Sequence, residues 1–206
     1  MSSNIDSTRV EVIDASLDYV KITYVIDTGK HNARTRVEFV KGNVYHRAYG
    51  PAIIESEGDH VVLEEYIVDG NWHRIGAPAV VHYEAVARES SGAPPQYRMR
   101  SYKWYENGQL HRGGDKPAEF SKSRQSILAR WFERGVPVRL DGKPASVRLN
   151  ESGVATFEWF DENGALHSTD DRPARITVST DSVAVSVTTT EDGLAGLIVP
   201  GAGGRR

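Results

Sequence analysis

The sequence predicts an all-β protein, an antiparallel β-meander of about six or seven tandem hairpin repeats that form a twisted or curled sheet. Three observations support this. One residue pattern recurs five times, each time ending in Pro-Ala. A glycine turn precedes every Pro-Ala, at a similar distance. The segments between the turns are rich in β-branched and aromatic residues, which favour strands, and helical periodicity is nearly absent.

The recurring pattern, called a cell here, reads aromatic, polar, Asn or Asp, Gly, two spacers, His-Arg, a small turn, Pro-Ala. Its clearest copy runs from Trp104 to Ala118. The anchor prolines of cells one to five are Pro51, Pro78, Pro117, Pro144 and Pro173, at spacings of 27, 39, 27 and 29. The glycines before them are Gly42, Gly70, Gly108, Gly135 and Gly164. Periods of about 20–50 residues are typical of repeat architectures, in which each unit buries its surface against its neighbours.

Each cell resolves into a strand, a tight turn, a short return and a proline corner. Asp69-Gly70, Asn107-Gly108 and Asn163-Gly164 are dipeptides that accept positive φ at both centres of a hairpin turn. The predicted strands before the turns are 61–67, 102–105, 127–132 and 155–160. Proline does not donate to a ladder, so each corner is expected at a strand start or edge.

The predicted organisation has three parts. Residues 1–36 form N-terminal strands with a degenerate cap repeat around Tyr24, Asp27, Gly29 and His31. Residues 37–193 form the tandem hairpin domain, and 194–206 form a C-terminal tail. The interval from Pro78 to Gly108 is 30 residues against 18 to 20 elsewhere, which predicts a long loop over 87–96. Such insertions often lie on a binding face, but a tolerated surface insertion is the more economical interpretation, because a longer loop costs little.

Composition excludes several classes. A net charge of −3 gives no general attraction to nucleic acid or an anionic membrane. The absence of cysteine excludes disulfides, thiol catalysis and cysteine-bound metal. The polar N-terminus and the lack of a long apolar run predict a soluble cytoplasmic protein without membrane insertion.

Trp104 to Leu110 resembles the variant MORN repeat, and the extension through His111-Arg112 to Pro117-Ala118 resembles arrays in tailed-phage and giant-virus proteins. The resemblance covers roughly residues 37–193. Cell four departs from it with Val138-Arg139 in place of His-Arg, and cell five with His167-Ser168 and an extra Glu162. The resemblance implies a non-enzymatic sheet that serves as a scaffold, a membrane-apposed platform or a protein-binding surface, and a phage or viral origin with the host cytoplasm as its location.

The histidines at matching cell positions are His46, His73, His111 and His167. Matching residues in successive cells should lie roughly 10 Å apart, too far to share a metal whose ligands lie about 2.1 Å from it. We therefore expect them to be structural, with each imidazole bonded to the backbone of its own corner. No metal and no cofactor are predicted. The matching arginines, Arg47, Arg74, Arg112 and Arg139, are expected to pair with Asp115, Asp141, Asp170 and Asp171 rather than grip phosphate.

Enzyme motifs are absent from the sequence, and its polar residues recur in every cell instead of forming one constellation, so an enzyme is not expected. Protein–protein recognition is the leading interpretation, with a host or virion protein as partner and homo-oligomers as an option. The candidate binding residues are Trp104, Tyr105, Trp131 and Trp159 on the sheet, and Arg88, Glu89, Pro94 and Pro95 in the loop. The alternatives are a self-assembling structural component, and a glycan- or nucleic-acid-binding module that uses the aromatic and arginine rows.

The turn chemistry leads to a first prediction. Asn107→Pro should break the third hairpin, because a proline ring holds φ near −65° and removes the backbone N–H. Circular dichroism and thermal melting would measure this. A native spectrum with an unchanged melting temperature would contradict the predicted turn.

Overall fold

A computed structural model describes the backbone of residues 5–14, 19–26, 33–86, 96–167, 173–179, 185–188 and 195–198. Within these ranges every element is a β-strand and none is a helix, so the predicted all-β class is confirmed. The strands are β1 (Ile5–Asp14), β2 (Tyr19–Ile26), β3 (Arg34–Lys41), β4 (Val44–Tyr45), β5 (Ile53–Glu57), β6 (His60–Glu65), β7 (Ile67–Val68), β8 (Asn71–Trp72), β9 (Val80–Val86), β10 (Gln96–Lys103), β11 (Tyr105–Glu106), β12 (Gln109–Leu110), β13 (Glu119–Lys122), β14 (Ser126–Arg130), β15 (Phe132–Glu133), β16 (Val136–Pro137), β17 (Ser146–Asn150), β18 (Val154–Glu158), β19 (Arg175–Ser179), β20 (Val185–Thr188) and β21 (Ala195–Ile198).

The chain divides between Gln109 and Leu110 into two compact units. The long strands of the first unit follow the order β1-β2-β3-β5-β6-β9-β10, and those of the second β13-β14-β17-β18-β19-β20-β21. Neighbours in each series pair antiparallel. Each unit is therefore an antiparallel meander, as predicted. The segment expected to be a tail contains β21, which pairs with β20.

Short hairpins follow the long strands. The sequence predicted their tight turns and short returns, but not the break that separates them from the long strands. One residue leaves the ladder after β6, β10, β14 and β18, namely Tyr66, Trp104, Trp131 and Trp159. In three cells the chain then forms a two-stranded hairpin: β7–β8, β11–β12 and β15–β16. The strands predicted to run without a break through these aromatic residues are thus divided in two.

The corner alanines explain the break. The Tyr66 N–H donates to the Ala79 carbonyl (2.7 Å), and the Trp131 N–H donates to that of Ala145 (2.8 Å). The Trp159 N–H likewise donates to the carbonyl of Ala174 at 2.9 Å. Because the N–H of each aromatic residue donates to the corner of its own cell, that N–H is not available to the ladder of the long strands.

The same alanines also bond to the following strand. The N–H of Ala52 donates to the Glu65 carbonyl at 2.7 Å, and that of Ala79 donates to the Lys103 carbonyl at 2.9 Å. All five corner alanines are buried, with 0–3% exposure: Ala52, Ala79, Ala118, Ala145 and Ala174. The adjacent backbone bonds hold both neighbours in place, so a larger side chain has no room to enter.

This packing yields a second prediction. Ala52→Leu should lower the free energy of unfolding by about 1–3 kcal/mol, because Ala52 packs fully buried against Ile53 and Ile67. Ala48→Leu is the matched control, since Ala48 is exposed in the same corner. Urea denaturation of both variants measures the difference. Equal stability of the two variants would show that the corner tolerates bulk.

Candidate functional site

Type I′-like turns close three of the short hairpins. The residue pairs, with their φ angles, are Asp69 (48°) and Gly70 (79°), Asn107 (49°) and Gly108 (78°), and Arg134 (49°) and Gly135 (83°). The first two pairs were predicted from their Asp-Gly and Asn-Gly sequences. Arg134 adopts the same left-handed conformation without a favourable side chain, so the cell geometry overrides local preference there.

Successive short hairpins are joined by backbone hydrogen bonds. The turn glycine of one cell donates to a carbonyl in the preceding cell: Gly70 to Tyr45 (3.0 Å), Gly108 to Trp72 (2.9 Å) and Gly135 to Leu110 (2.8 Å). A Cβ built on Gly108 would lie 2.9 Å from the Oδ1 of Asn71, so a larger residue would require that exposed side chain to shift, and the φ of 78° itself favours glycine.

Histidine adds a second link between cells. The backbone N–H of Asn107 donates to the His73 Nδ1 at 3.2 Å, and that of Asp69 donates to the His46 Nδ1 at 3.0 Å. His46 Nδ1 also lies 2.8 Å from the Asp69 carboxylate, to which it can donate only when it carries a hydrogen, and it cannot then accept the Asp69 N–H. The acceptor role is the one that both histidines share. These imidazoles therefore hold the turn of the next cell. The sequence predicted instead that each would bond to the backbone of its own corner.

The corner arginines lie over the aromatic residue of their own cell. The guanidinium carbon is 3.9 Å from the Phe39 ring centroid for Arg47, 3.6 Å from Tyr66 for Arg74, and 3.8 Å from Trp131 for Arg139. Nη1 of Arg47, Arg74 and Arg112 also donates to the carbonyl of the corner proline, at 3.1–3.2 Å.

One corner arginine, Arg139, pairs with a predicted acidic partner. It bonds through both Nε and Nη2 to the Asp115 carboxylate, and the Lys143 Nζ joins the same carboxylate at 2.9 Å. These hydrogen bonds, first from Arg139 and then from Lys143, hold the pKa of Asp115 well below its usual range. Asp141 contributes at 3.5 Å from Lys143, while Asp170 and Asp171 lie outside the described residues.

Cell five closes differently. The Gly164 N–H donates to the Asp161 carbonyl in its own turn (3.0 Å), and the Asp161 Oδ1 accepts from the N–H groups of Asn163 and Ala165. Asn163 lacks the positive φ that the sequence predicted for it. Val138, at the histidine position of cell four, has no acceptor to offer this turn. The short hairpins of cells four and five therefore lack both links that join the earlier cells.

Two equivalent clefts lie in the second unit. One, of about 130 Å³, is bounded by the cell-three corner at 112–115 and by Trp131 and Phe132. The other, of about 470 Å³, is bounded by the cell-four corner at 139–143 and by Trp159 and Phe160. The larger cleft lies at the junction where the links between cells are missing.

Exposed apolar side chains mark the tips of several corners. Tyr49 is 93% exposed, Ile75 88% and Leu140 66%. Tyr45 and Trp72, one residue before the cell histidines, are 37% and 39% exposed and cap carboxylates: the Tyr45 hydroxyl donates to Glu38 and the Trp72 Nε1 donates to Glu65. The exposure of these side chains was not predicted, because the sequence pattern of a corner indicates a turn and does not show which of its side chains face solvent.

The predicted binding residues on the sheet are partly buried. Trp104, Tyr105, Trp131 and Trp159 all have intermediate exposure, and Tyr105 packs on Trp72 with ring centroids 5.1 Å apart. The Nε1 of Trp159 donates to the Gly142 carbonyl at 2.9 Å, whereas the buried Nε1 of Trp131 has no hydrogen-bond partner among the described residues. The predicted loop residues Arg88, Glu89, Pro94 and Pro95 lie outside the described residues.

Among the described residues, no three His, Cys, Asp or Glu side chains are grouped so that they could hold a metal ion. Nor is there, in the same ranges, a helix long and apolar enough to cross a membrane. No family model, curated protein or solved structure matches the chain. The likeness to MORN-type arrays therefore depends on the residues of the five cells alone.

The histidine link yields a third prediction. His73→Val should destabilise the protein by about 0.5–1.5 kcal/mol, because the Asn107 N–H loses its acceptor. Amide hydrogen exchange should accelerate at Asn107. Gly135, whose N–H donates to a backbone carbonyl, is the internal control and should keep its rate. An unchanged exchange rate at Asn107 would argue against the link.

Proposed function

We propose that this chain is a non-enzymatic repeat protein that recognises another protein through the corner tips of its first unit. The observation that carries the proposal is the almost complete exposure of Tyr49 and Ile75, 93% and 88%. Neither side chain contributes to the packing of its corner. Burial against a partner would therefore add binding energy without a cost to the fold, about 1.5–3 kcal/mol for a side chain such as Ile75.

The position of the two tips supports an extended contact. They belong to successive cells, and cells built on two strands repeat at about 10 Å. Tyr45 and Trp72, on the short hairpins of the same cells, add partly exposed aromatic surface. Tyr and Trp are the side chains that most often dominate protein interfaces. The row thus offers apolar anchors at a regular spacing.

The arginine row gives less support to the nucleic-acid alternative. Arg47, Arg74 and Arg112 each donate to the carbonyl of their corner proline, and Arg139 is paired with Asp115. Guanidinium groups engaged in this way are poorly placed to neutralise phosphates. A phage or viral origin and a cytoplasmic setting remain proposals that rest on the MORN-like resemblance.

The test is affinity capture from a host lysate with the tagged chain and a Tyr49→Ser/Ile75→Ser double variant as baits. We expect one dominant partner, captured by the parent and at least tenfold weaker with the double variant, because about 1.4 kcal/mol corresponds to tenfold in affinity. Met99→Ser is the matched control: Met99 is 46% exposed on β10 of the same unit.

Melting temperatures of all baits should agree, since the substituted side chains are exposed. A further bait with residues 87–96 replaced by a short Gly-Ser turn tests whether the predicted loop contributes. Retention of the partner by the double variant would contradict the proposed surface. Capture of nothing but the chain itself would indicate a self-assembling component, and binding that falls steeply with salt would indicate nucleic acid.

A further inference from the structure

The repeat shows which side chain its aromatic residues accept. In cells one, two and four the guanidinium of a corner arginine lies 3.6–3.9 Å from the centroid of the cell's aromatic ring. In cells one to three the arginine also donates to the carbonyl of the corner proline. Stacking on the ring and hydrogen bonding to the carbonyl together define an arginine position, which cells one and two show in full.

Cell five has no arginine at this position. The His167 N–H donates to the Trp159 carbonyl at 2.9 Å, as the His73 N–H does to that of Tyr66 at 3.0 Å. His167 is therefore the equivalent of His73, and the residue equivalent to Arg74 is Ser168. A serine side chain has neither the charge nor the length of an arginine.

The two clefts of the second unit differ in volume. In the smaller cleft, of about 130 Å³, Arg139 lies over Trp131 and is itself part of the lining. The equivalent cleft at Trp159 measures about 470 Å³, within the range of ligand-binding pockets. Part of the lining corresponds, with Trp159 and Phe160 in the places of Trp131 and Phe132.

Charge around the larger cleft favours a cation. Arg139 and Lys143 line it, but both are paired with Asp115. Glu162, the extra residue of cell five, is exposed in the cleft wall beside Asp161. Gly142 stands where the preceding cell has Asp115, and Glu162 adds an exposed carboxylate to the lining.

We propose that this cleft, bounded by Arg139, Lys143, Trp159, Glu162 and His167, binds an arginine side chain from a protein partner. The guanidinium stacks on Trp159 as the chain's own arginines stack in other cells, and the carboxylate of Glu162 receives its N–H groups. The site lies in the second unit, so the experiment that tests it does not depend on the corner tips of the first unit.

The experiment titrates the ¹⁵N-labelled full chain with N-acetyl-L-arginine amide and follows the tryptophan indole resonances. The chain has four tryptophans, and Trp159→Phe assigns the relevant signal. We expect a saturable shift of the Trp159 indole while Trp72 stays unmoved. N-acetyl-L-citrulline amide, which has the same shape without the charge, should bind at least tenfold more weakly.

Two variants locate the probe. Ser168→Arg restores the arginine of the other cells and should abolish the shift, whereas the matched Ser168→Gln should retain it. Glu162→Gln changes an exposed side chain and should weaken binding severalfold without altering other resonances. Together these losses would place the probe between Trp159 and Glu162.

Other outcomes overturn the proposal. Equal binding of the citrulline probe, or tighter binding of N-acetyl-L-glutamate amide, would show that the cleft does not select a guanidinium. Unchanged binding by both Ser168→Arg and Glu162→Gln would place the probe elsewhere. Arg172 is the residue before the corner proline of cell five. Tighter binding of the arginine probe by Arg172→Ala would mean that this arginine competes with the probe for the Trp159 ring, which would exclude a site for a partner's arginine.

Discussion

The two backbone hydrogen bonds of the corner alanine are the constraint on which the repeat depends. Its carbonyl accepts from the aromatic residue of its own cell, and its N–H donates to the strand that follows, as Ala79 does with Tyr66 and Lys103. Ala79 forms both bonds and is 0% exposed, so the corner is held from two sides at a position that solvent does not reach. The proline before it has no N–H to satisfy, and its carbonyl is left to accept from the corner arginine. The break in each long strand and the short hairpin that follows are consequences of this arrangement.

Coupling between cells comes from groups that the hairpin itself does not need. The glycine N–H and the imidazole of His46 or His73 link one short hairpin to the next. Where Val138 replaces histidine and the turn of cell five satisfies its own N–H groups, the links are absent and a cleft forms. Positions where a residue departs from the local sequence preference of its fold often coincide with functional sites, because elsewhere such a departure lowers stability without any benefit to function.

The proposed binding features use different chemistry for one physical reason. The corner tips in the first unit carry Tyr49 and Ile75 at positions where the fold requires only a turn. The cleft in the second unit presents Trp159 at a position where the fold normally supplies its own cation. In both places the repeat provides the scaffold, and the variable residues are free to recognise a partner. A protein built from copies can acquire specificity in this way without disturbing its core.

The sequence alone determined the all-β meander, the cell boundaries and the positions of most turns, because Pro-Ala corners and Asn-Gly or Asp-Gly turns are local signals set by backbone φ. It could not determine that the strands break at Tyr66 and Trp131, since that depends on a hydrogen bond to an alanine 13 or 14 residues away. The target of the histidines, the turn of cell five and the cleft at Trp159 were likewise decided by tertiary structure. Each depends on which groups of adjacent cells meet, and only the assembled chain brings those groups together.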